Sequence, residues 1–161
     1  MSGRRTGFAT DRRAVSTTVT YTLTVAITTV LVSGLVIAAG GAVSDQRERA
    51  VRQELGVVGE RLAAELEGAD GLVADGNADL RLRTTHPDAL AGTRYSVALV
   101  ASAPGPCDRY PCLALNASDP AASVTVALAT ETAVRSTRVA GGDVVVVYEP
   151  DNGTLALEGA A

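Results

Sequence analysis

Two cysteines, one histidine and a scatter of carboxylates are the residues of this sequence that could carry chemistry. Cys107 and Cys112 bracket Asp108-Arg109-Tyr110-Pro111 in a stretch that also holds Pro104 and Pro106. A metal site would need further His or Cys ligands, and His86 alone does not supply them. Asp75, Asn77 and Asp79 alternate like the first ligands of a calcium loop, but Leu80 stands where the turn glycine belongs. No Glu closes that loop either, so plain turn chemistry is the reading. Any Ser-His-Asp or Cys-His arrangement would have to pass through His86, which precedes Pro87 in a polar loop and reads as solvated. There is no nucleophile motif, phosphate loop or dinucleotide fingerprint, and no carboxylate pair stands out. The expectation is a protein that is not an enzyme, with no catalytic residue, no cofactor and no metal. What remains is modification chemistry. Asn116-Ala117-Ser118 and Asn152-Gly153-Thr154 both fit the N-glycosylation sequon, which makes Asn116 and Asn152 candidate acceptors.

The element that positions everything else is the uncharged stretch from Ala14 to Val43. A helix rising ~1.5 Å per residue crosses the hydrocarbon core with roughly 20 apolar residues, and this stretch is longer than that. Its threonines suit lipid because a Thr hydroxyl can bond a carbonyl one turn earlier on its own helix. Gly34, Gly40 and Gly41 are of a kind commoner in membrane spans than in soluble helices. A soluble buried helix is the competing reading, but nothing later in the chain offers enough apolar surface to cover it on all sides. Arg4, Arg5, Arg12 and Arg13 precede the span, against Asp11, whereas the charges from Asp45 to Glu54 nearly cancel. The basic excess keeps the N-terminus cytoplasmic and places the rest outside the cell.

At the cytoplasmic mouth of the span, Arg13-Ala14-Val15-Ser16 sets a positive charge, a small residue and an apolar residue in succession. This resembles the processing site of archaeal type IV pilins. The run from Val15-Ser16 through Val25-Ala26-Ile27-Thr28 is similar to the start of a haloarchaeal pilin, and the likeness covers residues 12 to about 40. Thr17 stands where haloarchaeal pilins often have Pro, and Val19 where bacterial pilins carry Glu. The resemblance implies a prepilin peptidase cutting between Ala14 and Val15. The apolar helix is then retained for assembly with other pilin-like subunits and the pilus machinery. An ordinary secretory signal is cut beyond its apolar core, which is lost. Two other fates follow from the same residues: an uncleaved anchor, or a signal peptide cut near Gly40-Gly41-Ala42.

All basic side chains are arginine, and the chain carries 14 of them against 18 acids. The lack of lysine with abundant Ala, Val, Thr and Asp points to a GC-rich, halophilic source. An acidic surface excludes nucleic acid as a partner, because phosphate binding needs a basic footprint. Beyond the span there is chain enough for one small domain. With 1 Phe, 4 Tyr and no Trp, its core must be built from Val, Leu and Ala.

Residues 44 to about 68 continue the helix, with Val51, Leu55, Val58, Leu62 and Leu66 forming one stripe. Gly56 and Gly59 each cost about 1 kcal/mol relative to Ala and suggest a bend, and Gly68 is a natural stop. Residues 69 to 79 are turn-rich. Short strands are expected over Asp79–Arg83, Tyr95–Ala101, Cys112–Asn116, Ser123–Ala129, Asp143–Tyr148 and Thr154–Glu158. Val134–Val139 and Val144–Val147 flank Ala140-Gly141-Gly142-Asp143 as a hairpin would. Outside the cell Cys107 and Cys112 are expected to pair, rigidifying an exposed tip, with two free thiols as the alternative.

The expected fold class is α+β, a long N-terminal helix packed on a small antiparallel β-sheet head, as in type IV pilins. The expected organisation is a leader (1–14), a transmembrane and assembly helix (15–43), its amphipathic continuation (44–68) and an extracellular β-rich head (69–161). By the resemblance the function is that of a minor pilin-like subunit of a surface filament, with adhesion as a possible task of the head. The alternative is a permanently anchored β-domain that binds a cell-envelope partner. In both, the lipid bilayer is a partner.

Overall fold

A computed structural model describes residues 11–160 except 77–78, 103 and 106, with side chains described from residue 18 onward. One helix, α1 (Asp11–Ala74), precedes nine strands: β1 (Arg81–Thr84), β2 (Ala89–Leu90), β3 (Thr93–Val100), β4 (Cys112–Ser118), β5 (Ala121–Ala127), β6 (Ala133–Val134), β7 (Thr137–Ala140), β8 (Val144–Glu149) and β9 (Thr154–Gly159). The chain divides into two compact units, Met1–Val43 and Ser44–Ala161. The class is α+β, with a long N-terminal helix and a sheet head.

In the first unit, every described side chain from Thr18 to Val43 is exposed. In the second, Val51, Leu55, Leu62, Leu66 and Ala69 have no exposed surface, and Val58 has almost none. The helical stripe read from spacing is therefore the spine of the head. Burying a Leu side chain fully is worth about 1.5–3 kcal/mol, so this row supplies much of the head's hydrophobic stabilisation.

Against the stripe lie two sheets. The first follows β2-β3-β4-β5, with β7 also paired to β3; the second follows β1-β8-β9-β6. In the first sheet Val97 pairs with Leu115 and Val139, Leu99 with Leu113, and Leu113 with Val126. These alternate residues line the core, while Ser96, Asn116, Ser123 and Thr125 face the other side. In the second sheet Leu82, Val146 and Leu157 stand in register and are turned inward. All pairings are antiparallel except β6 with β9.

The other face of the second sheet carries ion pairs: Arg81–Glu158 at 2.6 Å, Arg83–Asp143 at 3.1 Å and Arg135–Glu149 at 2.6 Å. Exposed pairs of this kind contribute little through charge. Register puts Arg81 opposite Val147, which in turn pairs with Ala156.

Several expectations are corrected. The helix does not stop at Gly68; it runs through Gly71 to Ala74. Ala69 is buried in the core and the Asp70 carboxylate is bonded to a loop, so tertiary contacts outweigh the glycine cost. Helix α1 also continues through Gly56 and Gly59. Gly59 serves close approach instead: a Cβ there would lie 2.9 Å from Val126 Cγ2 and 3.0 Å from Leu115 Cδ1.

The expected hairpin across Gly141-Gly142 does not form, because β7 pairs with β3 while β8 pairs with β1 and β9. The turn crosses between sheets under Tyr95. The Gly141 N–H donates to the Tyr95 carbonyl at 2.8 Å, and a Cβ on Gly141 would sit 2.4 Å from the Tyr95 ring. Gly142 adopts φ +106°, which only glycine takes without strain.

Candidate functional site

The span comes first. Its hydroxyls are satisfied along the helix: Thr24 donates to the Thr20 carbonyl, Thr28 to Thr24, Thr29 to Val25 and Ser33 to Thr29, each at 2.8 Å. With its polar hydrogens turned back on the backbone, the helix offers an apolar surface of Val, Leu and Ile, such as Val30 at 71% and Ile37 at 77% exposure. Tyr21, Thr24, Val25, Thr28, Thr29, Val32 and Ser33 line a shallow groove on one side of it. A stretch of this length and composition can cross a bilayer. Val19, Tyr21 and Leu23 begin the described apolar surface.

Arg13, Ala14, Val15 and Ser16 fall within the backbone of α1, but their side chains lie outside the described residues, as do residues 1–10 of the leader.

The head is tied to α1 by acids flanking the stripe. Glu54 accepts the Ala91 N–H at 2.7 Å, and Glu67 accepts the Ala129 N–H at 3.0 Å. Asp70 accepts from Glu131 N–H at 2.8 Å and Thr132 N–H at 2.9 Å. Burial works to raise the Asp70 pKa, and the hydrogen bonds from Thr132 and Glu131 outweigh it, leaving the carboxyl below its ordinary value. From sequence alone these acids have no assigned role, and Asp70 is placed among turns instead of in α1. Their one signal was position, at the borders of the apolar stripe.

His86 corrects a second expectation. It is not solvated but buried, with Nε2 3.2 Å from Thr84 Oγ1 and 3.1 Å from Glu65 Oε2. The polar residues around it misled, because Thr84 and Glu65 are the partners that let the ring be buried. The ring links Glu65 on α1 to Thr84 on β1.

Cys107 and Cys112 are brought together as a pair with Cα atoms 5.6 Å apart, inside the disulfide range. Asp108, Arg109 and Tyr110 between them are exposed. Asn116 lies mid-strand in β4 and Asn152 in the β8–β9 turn, both exposed. Structure does not bring these four residues into one site. Among the described residues no group of three His, Cys, Asp or Glu could hold a metal ion.

One family matches residues 10–159, a family of unknown function (DUF7266). The chain belongs to this family. The match takes in the described span, the α1 spine and the strands alike, so the family's unit is the anchor-like helix together with its head. No curated protein and no solved structure matches the chain.

Proposed function

We propose that this chain is a minor type IV pilin-like subunit without enzymatic activity. Its precursor sits in the membrane with the N-terminus cytoplasmic and the head outside. A prepilin peptidase cuts between Ala14 and Val15, and the apolar helix then assembles with other pilin-like subunits into a surface filament or its assembly complex. The head is displayed for subunit contacts or adhesion.

One observation carries the reading. A single helix leaves Thr18–Val43 wholly uncovered while its Val51–Ala69 stretch is the core of the head. Such a helix needs an apolar environment from elsewhere, either lipid or other helices. Its back-bonded hydroxyls suit both, since small residues allow close approach between helices. The charge–small–apolar boundary Arg13-Ala14-Val15 favours a retained, processed helix over a permanent anchor.

The test is the N-terminal residue of the mature protein, read by mass spectrometry of membrane fractions. The expected start is Val15, with processing lost in Ala14→Phe. An intact N-terminus would replace this reading with the anchored β-domain, and a start near Val43 with a secreted one.

A further inference from the structure

The two sequons present very different local structures. Asn116-Ala117-Ser118 lies within β4, where Asn116 is in register with Ser96 on β3 and Ser123 on β5. Ala117, the middle residue, is 9% exposed and belongs to the core. A transferase has to draw the acceptor amide and the hydroxyl two residues on into its own site. At Asn116 that would unzip β4 from both neighbours and pull Ala117 out of the core.

Asn152-Gly153-Thr154 is less constrained: Asn152 and Gly153 lie in the loop, and only Thr154, the half-buried first residue of β9, is paired, with Glu149 and Ala133. The β8–β9 ladder closes at Glu149 and Thr154, leaving residues 150–153 as a loop. Asn152 is exposed, and its N–H donates to the Glu149 carbonyl at 3.2 Å. Gly153 takes φ +61°, the left-handed conformation that bends the segment. As a result the Asn152 amide and the Thr154 hydroxyl converge, each 3.5 Å from Glu149 Oε2. The sequon is thus already folded with its amide and hydroxyl on one side, at a hairpin tip. Glu149 is itself held by Arg135 through contacts at 2.9 and 2.6 Å, which fixes that carboxylate as a reference point.

We infer that Asn152, and not Asn116, is the N-glycosylation site of the folded head. The donor is a lipid-linked oligosaccharide phosphate. A bond forms between Asn152 Nδ2 and the anomeric carbon, and the bond from that carbon to the phosphate oxygen breaks. The amide loses one proton to a base of the transferase, and the lipid phosphate leaves; nothing is oxidised or reduced. The glycan would project from the hairpin tip without disturbing the core. This inference rests on the external placement of the head proposed above.

The experiment takes the full chain from membranes of the cells that make it. Intact-mass and glycopeptide measurements compare the wild type with N152Q, N116Q, T154A and T154S. One oligosaccharide mass is expected on the wild type, N116Q and T154S, and its complete loss in N152Q and T154A. A glycan retained in N152Q, or lost in N116Q, overturns the inference. External protease on intact cells separates the underlying reading from this one. An unmodified head that is cleaved from outside refutes the Asn152 assignment alone, whereas a head protected from outside refutes the orientation and the assignment with it.

Discussion

Alanine substitution at Gly56 and at Gly59, one helical turn apart on α1, should change stability in opposite directions. Glycine inside a helix is about 1 kcal/mol less favourable than alanine because it gives up more backbone freedom on folding. At Gly56 a Cβ meets nothing within 4 Å, so Gly56→Ala should recover that term and stabilise the head by about 1 kcal/mol. At Gly59 the new methyl would stand 2.9 Å from Val126 Cγ2 and 3.0 Å from Leu115 Cδ1. Leu115 is fully buried and Val126 nearly so, on adjacent strands β4 and β5. Neither can swing outward, and Val126 is β-branched and stiff about χ1. Overpacking of this kind costs about 1–3 kcal/mol. Subtracting the recovered helix term leaves Gly59→Ala destabilising by about 1 kcal/mol. The two variants should then differ by about 2 kcal/mol, roughly 8–16 °C in melting temperature for a domain near 100 residues. The assay is thermal unfolding of the full chain in detergent, followed by tyrosine fluorescence and amide exchange in β4 and β5. Equal stabilisation by both alanines would refute the close seating of α1 on these strands.

Two further outcomes follow from the head. The Asp70 carboxyl has a folded pKa below its unfolded value, so its contribution is present above the unfolded pKa and lost as pH falls through the folded one. Acidification from about pH 5 downward should therefore weaken wild type more than Asp70→Asn, and parallel pH-dependent denaturant curves would show no Asp70 linkage. Gly141→Ala should be among the most damaging single changes in the head, because its methyl would meet the Tyr95 ring at 2.4 Å. A melting temperature within 2 °C of wild type, against the several degrees that about 1–3 kcal/mol of overpacking implies, would contradict the packing of that turn.

Local periodicity settled much of this molecule before any coordinates. The uncharged run from Ala14 to Val43 and the stripe Val51, Leu55, Val58, Leu62 and Leu66 are one-dimensional patterns; the first is helical throughout and exposed from Thr18 onward, and the second is buried. The alternation in Ser123-Val124-Thr125-Val126 likewise marks which face of β5 is buried, since side chains alternate along any strand. Most strands were legible for the same reason. The cleavage residues Arg13 to Ser16 and the acceptors Asn116 and Asn152 were legible as motifs, but a motif carries no information about its surroundings.

Long-range pairing decided the rest. Nothing local distinguishes a β7–β8 hairpin from two strands sent to different sheets; the partner of β7 is β3, far away in sequence. Gly59 read as a weak point because helix propensity is local, whereas its role depends on Leu115 and Val126 arriving from β4 and β5. His86 read as solvated because its neighbours are polar, and only folding brings Glu65 to it from α1. Glu54, Glu67 and Asp70 drew no reading of a bonding role, because their partners are N–H groups of loops that only folding brings to the helix. Amphipathic pattern determines what a residue seeks, apolar or polar surroundings. Which partner meets it is set by topology, because backbone donors and side-chain hydroxyls are alike along the whole chain and only the three-dimensional path selects among them.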